Sequence, residues 1–268
     1  MRSEKVISVP DGVLPIRTQP AECEKHGKFD QKVTVILGRE LKGGCPECLR
    51  AIAIEREESA KAEKAYALRL SLARKLGDAL IPKRFLSRTL DNYQVEHEEQ
   101  RRALKFCRHY VATFDQIREV GRCMVLIGKP GTGKTHLGVA MANELLHKTS
   151  RTAVYRTVGA VLQAIKATFD RKSELSESDI LSSLINPDLL VLDEIGVSKE
   201  QPSDFELTTL FAIINGRYER EAPTVIISNL GAGELGRAMG DRCVDRLREG
   251  GLIVVPFEWE SQRGKEGF

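Results

Sequence analysis

At 268 residues the chain has room for one large domain, or for a medium domain with an appendage. Apolar residues make up 41% and charged residues 29%, a globular, soluble balance, and no run of eighteen apolar residues is present to span a bilayer. The opening MRSEKVISVPDG lacks the apolar core of a secretory signal, so a cytoplasmic address with reduced thiols is expected, and the net charge of +3 leaves any DNA contact to a local patch.

Residues 1–22 carry three prolines and no clear period, and are expected to form a tail. Residues 23–48 hold Cys23, His26, Cys45 and Cys48; between the two pairs, KVTVILGRE is short and β-branched, as a strand is. Residues 49–76 predict one long helix. It is acidic early (Glu55, Glu57, Glu58) and basic late (Arg69, Arg74, Lys75), the order that suits the helix dipole. Gly77 stands where it would stop the helix, and 49–79 reads as a connector. From residue 80 apolar strands alternate with amphipathic helices. CMVLI (123–127) reads as a strand buried on both faces. A helix over 134–148, a strand over 152–157, helices over 159–169 and 176–185, and a strand over 188–193 follow. Ser203 and Glu206 have capping-box spacing for a helix to about Arg220, and strands over 224–229 and 252–256 complete the pattern. The alternation predicts an α/β fold: a mainly parallel sheet with helices on both faces. Cys107, Cys123 and Cys243 lie scattered among apolar residues and read as core packing.

GKPGTGKT (128–135) matches G-x-x-x-x-G-K-[ST] between an expected strand and an expected helix. Gly128, Gly131 and Gly133 let the loop, which also holds Pro130 and Thr132, expose backbone N–H groups to phosphates, and the following helix N-terminus adds partial positive charge. Lys134 can reach the β- and γ-phosphates and the Thr135 hydroxyl can bind Mg²⁺, with His136 next in the same turn. In DLLVLDEIG, Asp193 would emerge at the strand end to hold Mg²⁺ through water, and Glu194 would orient or deprotonate an attacking water. Asn229 ends TVIISN, where an amide can bond the γ-phosphate or that water. In GDRCVDRL, Arg242 and Arg246 stand four apart on one helix face. They read either as a solvated face paired with Asp241 and Asp245, or as an arginine finger for a neighbouring subunit's nucleotide, worth about 10³–10⁵ in turnover.

Taken together, GKPGTGKTHL, NPDLLVLDEIG, IISN and GDRCVDRL resemble the DnaC/DnaI-type loaders of replicative helicases, members of the AAA+ ATPases. The resemblance runs from IPKRFLSRTLDNYQV (81–95) to PFEWES (256–261). It implies an AAA+ P-loop ATPase domain over 80–268, with Lys134 and Thr135 for ATP–Mg²⁺, Asp193 and Glu194 as Walker B, Asn229 as sensor 1 and Arg246 as the trans finger. Subunits would assemble head to tail in a spiral of up to six copies. Twenty-two residues follow Arg246, so little or no C-terminal lid is expected, and Arg263 is the candidate for a sensor-2 arginine. The resemblance also implies a single-stranded DNA surface on VLQAIKATFDRKSELSESDIL, where Phe169 matches a DNA-touching aromatic and Arg171 and Lys172 follow; Phe205 matches a second. A base stacks on an exposed ring for about 1–3 kcal/mol. The alternative for both rings is core packing. The implied function is ATP-dependent loading of a DnaB-type hexameric helicase onto single-stranded DNA. The alternatives are an IstB-like helper ATPase of transposition, sharing the ATPase motifs, and an adaptor that binds ATP without turnover.

Cys23-x₂-His26 and Cys45-x₂-Cys48 form two tight pairs, eighteen residues apart. Three thiolates and one imidazole suit zinc as a closed tetrahedron, with no position open for water, so the site is expected to be structural. A module this small cannot bury enough apolar area to fold unaided, and zinc ligation would supply the stability. A zinc-bearing N-terminal segment resembles the DnaI side of the family and phage-borne loaders, which implies that it contacts the helicase.

Overall fold

The computed structural model describes residues 17–36, 39–170, 172–197 and 201–262, with residues 62 and 64–76 described by backbone alone. The chain forms two compact units, Met1–Leu70 and Ser71–Phe268. Among the described residues no helix is long and apolar enough to cross a membrane.

The first unit carries an antiparallel sheet of β1 (Arg17–Cys23), β2 (Gly27–Ile36) and β3 (Arg39–Lys42) in that order. Cys23 pairs with Gly27 at the hairpin end, so residues 24–26 make a three-residue turn that Gly27 completes at φ 74°. Part of the expected tail is therefore strand. Arg17–Glu22 is held by its ladder to β2 rather than by an apolar face, which is why no hydrophobic alternation announces it. Of the described residues in 17–48, only Val33, Thr34 and Cys45 are buried.

Helix α1 spans Pro46–Asp78. It begins three residues before the expected start, with proline at the first helical position, where its missing N–H is no loss. It also passes through Gly77; the left-handed residue that ends the run is Leu80, at φ 58°, whose N–H returns to the Gly77 carbonyl.

The second unit is built on β4 (Cys123–Gly128), β5 (Ala153–Thr157), β6 (Leu189–Ile195), β7 (Thr224–Ser228) and β8 (Leu252–Phe257). All pair in parallel, in the order β5-β6-β7-β4-β8. Alternation along β4 shows both faces covered. Met124 and Leu126 join a core with α2 (Glu98–Ala112) and α4 (Lys134–Lys148), while Cys123, Val125 and Ile127 join the opposite core. That second core includes α5 (Val158–Ala167), α6 (Glu177–Ile185), α7 (Asp204–Tyr218), α8 (Leu235–Met239) and α9 (Asp241–Glu249). Helix α2 and the short α3 (Phe114–Glu119) precede the first strand expected in this unit and were not among the expected elements; Ala103, Cys107 and Tyr110 give α2 its buried stripe. Cys123 and Cys243 are buried as well.

One buried cation ties this unit together. Arg217 is 1% exposed and donates to the carbonyls of Leu184, Ile185, Pro187, Asp188 and Pro223 and to the Thr224 hydroxyl. It thus satisfies the carbonyls that α6 leaves open at its C-terminus.

Candidate functional site

The loop 128–133 joins the C-terminal end of β4 to α4, the end at which open α/β sheets bind ligands. Gly128 has φ 129°, and a Cβ there would stand 2.2 Å from the Phe257 carbonyl oxygen, so only glycine fits. Gly131 (φ 79°) and Gly133 (φ 94°) carry the loop through left-handed turns into the helix. The loop is held from outside. Thr132 O accepts from Trp259 Nε1 at 3.0 Å and from the Tyr93 hydroxyl at 3.4 Å, and Gly131 O accepts from Gln262 N at 2.9 Å. Lys134 is 5% exposed, and its ammonium group donates to the carbonyls of Gly128 and Lys129 at 2.7 and 2.6 Å.

Asp193 lies at the end of β6, 4% exposed. Its Oδ2 accepts from Thr135 Oγ1 at 2.8 Å and from the Tyr155 hydroxyl at 2.9 Å, and Oδ1 accepts from Glu194 N at 2.7 Å. Burial, and then the Asp193 charge, push the Tyr155 hydroxyl well above its usual range, so it stays a donor. The β6–β7 register slips between Leu192 and Ile195, and Glu194 takes φ 64°. A bulge re-aims side chains. Here Asp193 turns inward while Glu194 is exposed. A non-glycine residue in that region is strained by about 1–3 kcal/mol, the kind of strain that persists at functional sites. Ser228 Oγ bonds the Ile195 carbonyl at 2.7 Å and so pins β7 to the bulge.

Glu194 and Asn229 face the same cavity of about 670 Å³ as the loop, Lys134, Thr135 and Asp193. Its far wall comes from Phe85, Arg88, Asn92, Tyr93 and Glu96. Those residues, together with Tyr155 and Trp259, were missed as site residues, although DNYQV and FEWES are quoted stretches of the family likeness. His136 turns away from the loop toward that wall. Its Nε2 lies 3.0 Å from Thr89 O and from Asn92 Oδ1, and burial lowers its pKa.

Arg246 is not part of this cavity. It lies over the Tyr218 ring at 4.4 Å and pairs with Glu249 at 3.2 Å, lining a hollow at the opposite, N-terminal ends of β4 and β7. Arg242 is exposed on the same helix. Phe169 is 63% exposed and meets Phe205 edge to face at 6.1 Å, with Lys166 Nζ 5.6 Å above the Phe205 ring. Phe169 is thus not core, whereas Phe205 packs partly against the second core. Lys172 is exposed; Arg171 and Arg263 lie outside the described residues.

In the first unit Cys23 ends β1, His26 sits in the hairpin turn, Cys45 precedes α1 and Cys48 lies in its first turn. Their ligand atoms all lie within 4.8 Å of one another. His26 Nδ1 is 3.7, 3.6 and 3.3 Å from the sulfurs of Cys23, Cys45 and Cys48, and Cys23 and Cys48 sulfurs are 3.6 Å apart. A tetrahedral zinc with Zn–S about 2.3 Å and Zn–N about 2.0 Å requires S···S about 3.8 Å and S···N about 3.5 Å. The four groups therefore fit a zinc ion.

The family model for IstB-like ATP-binding proteins matches residues 53–264. The chain is similar to the replicative helicase loader DnaC of Escherichia coli K12, with 40% identity over 179 residues, 66% of this chain and 69% of that one. It is similar to DnaC of Buchnera aphidicola subsp. Baizongia pistaciae at 28% identity over 245 residues, covering 90% and 97% of the two chains. The crystal structure of the DnaC helicase loader superposes with a TM-score of 0.57 at 27% identity, over 65% of this chain and 99% of that one. The chain belongs to the IstB/DnaC family of AAA+ ATP-binding proteins.

Proposed function

We propose that this protein is an ATP-dependent loader of a DnaB-type hexameric replicative helicase onto single-stranded DNA at replication initiation. The observation that carries the reading is the division of the ATPase parts: Lys134, Thr135, Asp193, Glu194 and Asn229 share one cavity, while Arg246 lies at the other end of the sheet. An arginine so placed cannot line its own subunit's cavity; as a finger it would serve another subunit's nucleotide, and hydrolysis would then depend on head-to-tail assembly. Within one subunit, the loop and Lys134 hold the phosphates, Glu194 orients the attacking water, and Asn229 bonds that water or the γ-phosphate. Thr135 and Asp193 are the pair that would hold Mg²⁺, which when bound neutralises charge on the phosphate oxygens. The 40% identity to a helicase loader supports this reading over an IstB-like transposition helper.

Phe169, with Lys166 and Lys172 near it, would take single-stranded DNA, the exposed ring stacking on a base and the lysines meeting phosphates. Cys23, His26, Cys45 and Cys48 would hold a structural zinc, and the surrounding module would contact the helicase in the cytoplasm. Affinity capture from the host bacterium tests the whole reading. A hexameric helicase retained with ATP supports it, and a transposase retained in its place overturns it.

A further inference from the structure

The chain puts a tyrosine where it governs a single carboxylate oxygen. Tyr155 is 4% exposed, on the sheet-edge strand β5, and pairs in register with Val191, two residues short of Asp193. Residues i and i+2 on a strand lie on one face about 6.6 Å apart. A tyrosine leaning along the strand spans that gap, whereas Thr, Asn or Ser at the same place falls short and Phe ends one atom early. The result is the 2.9 Å bond from the Tyr155 hydroxyl to Asp193 Oδ2, the oxygen that also accepts a hydrogen bond from Thr135 Oγ1 at 2.8 Å.

Two hydroxyls on Oδ2 and the Glu194 amide on Oδ1 fix the plane of the carboxylate. The Thr135 donor is itself a proposed metal ligand, so it cannot orient Asp193 independently of the ion. The Glu194 amide belongs to the strained bulge beside it. Tyr155 is the donor anchored elsewhere. Its amide bonds the Ala79 carbonyl at 3.0 Å, and its ring meets Phe85 edge to face at 6.1 Å.

We infer that Tyr155 is a positioning residue for Asp193, presetting the carboxylate for magnesium before nucleotide and metal arrive. The inference rests on the proposal that Asp193 serves the ion. Partners that orient a metal-bound group typically change metal affinity by about 10–100-fold when removed. Because Asp193 is proposed to act through water, the low end applies.

The test is an equilibrium titration of the full chain with a fluorescent N-methylanthraniloyl-ADP, across Mg²⁺ concentrations and in EDTA. Tyr155→Phe keeps the ring and its packing. The Mg²⁺ concentration giving half-maximal binding should rise about tenfold, with affinity in EDTA unchanged within twofold. Asp193→Asn should raise the Mg²⁺ midpoint further. A shift for Asp193→Asn without one for Tyr155→Phe overturns the inference alone. No shift for Asp193→Asn overturns the magnesium assignment and the inference with it. Equal weakening of Tyr155→Phe with and without Mg²⁺ also overturns it, because that is the mark of a general packing role.

Discussion

The indole Nε1 of Trp259 donates to the Thr132 carbonyl at 3.0 Å, closing a contact between residues 127 positions apart. Trp259 is the single tryptophan of the chain, so its emission reports on the 128–133 loop and on the Phe257 side of the core. Adding ATP should change that emission in the native protein and leave it unchanged in Lys134→Ala. Trp259→Phe keeps most of the ring packing on Phe257 but removes one donor; urea unfolding should show a loss of about 1 kcal/mol.

Arg217 makes the strongest stability forecast. Lysine in its place is too short and has one nitrogen, so several of the carbonyls now held are left buried and unpaired. Arg217→Lys should lower unfolding free energy by at least about 3 kcal/mol. Chemical denaturation of the two proteins side by side measures it.

The sheet and most of its helices were legible in the sequence, because parallel strands buried on both faces leave continuous apolar runs such as CMVLI and LLVL. The 128–133 loop between β4 and α4 was equally legible, since its glycines and the lysine after it stand at fixed spacing along a single segment. What stayed hidden depends on contacts between distant segments. Tyr155 reaches Asp193 across two strands, and nothing in TAVYRT distinguishes that tyrosine from a core aromatic. Strand β1 was invisible because pairing, not burial, holds it. The stop read at Gly77 falls one residue before the end of α1 at Asp78, and Leu80 rather than the glycine takes the left-handed turn, since glycine is permissive rather than obligatory at a helix end.

Metal removal should separate the two units. With Val33, Thr34 and Cys45 the only buried described residues of 17–48, that segment has little else to hold it. Elemental analysis should find one zinc per chain in the native protein and much less in Cys45→Ser. Chelation should abolish helicase binding while ATP affinity stays within twofold.

Arg246 acting in trans predicts complementation. Lys134→Ala and Arg246→Ala should each lack turnover. Mixed, they should regain part of it, because the Lys134→Ala subunit still offers its arginine to an intact neighbouring site. The steady-state ATPase rate across mixing ratios checks this; a flat line at zero would place the finger elsewhere.

The most direct measurement is helicase transfer itself: purified DnaB-type helicase, circular single-stranded DNA coated with its binding protein, and this chain with ATP, read as helicase retained on the circle after gel filtration. The expected result is helicase on DNA with the native chain, and about background with Lys134→Ala or the zinc-depleted protein. Equal retention with and without the native chain would contradict the loader reading.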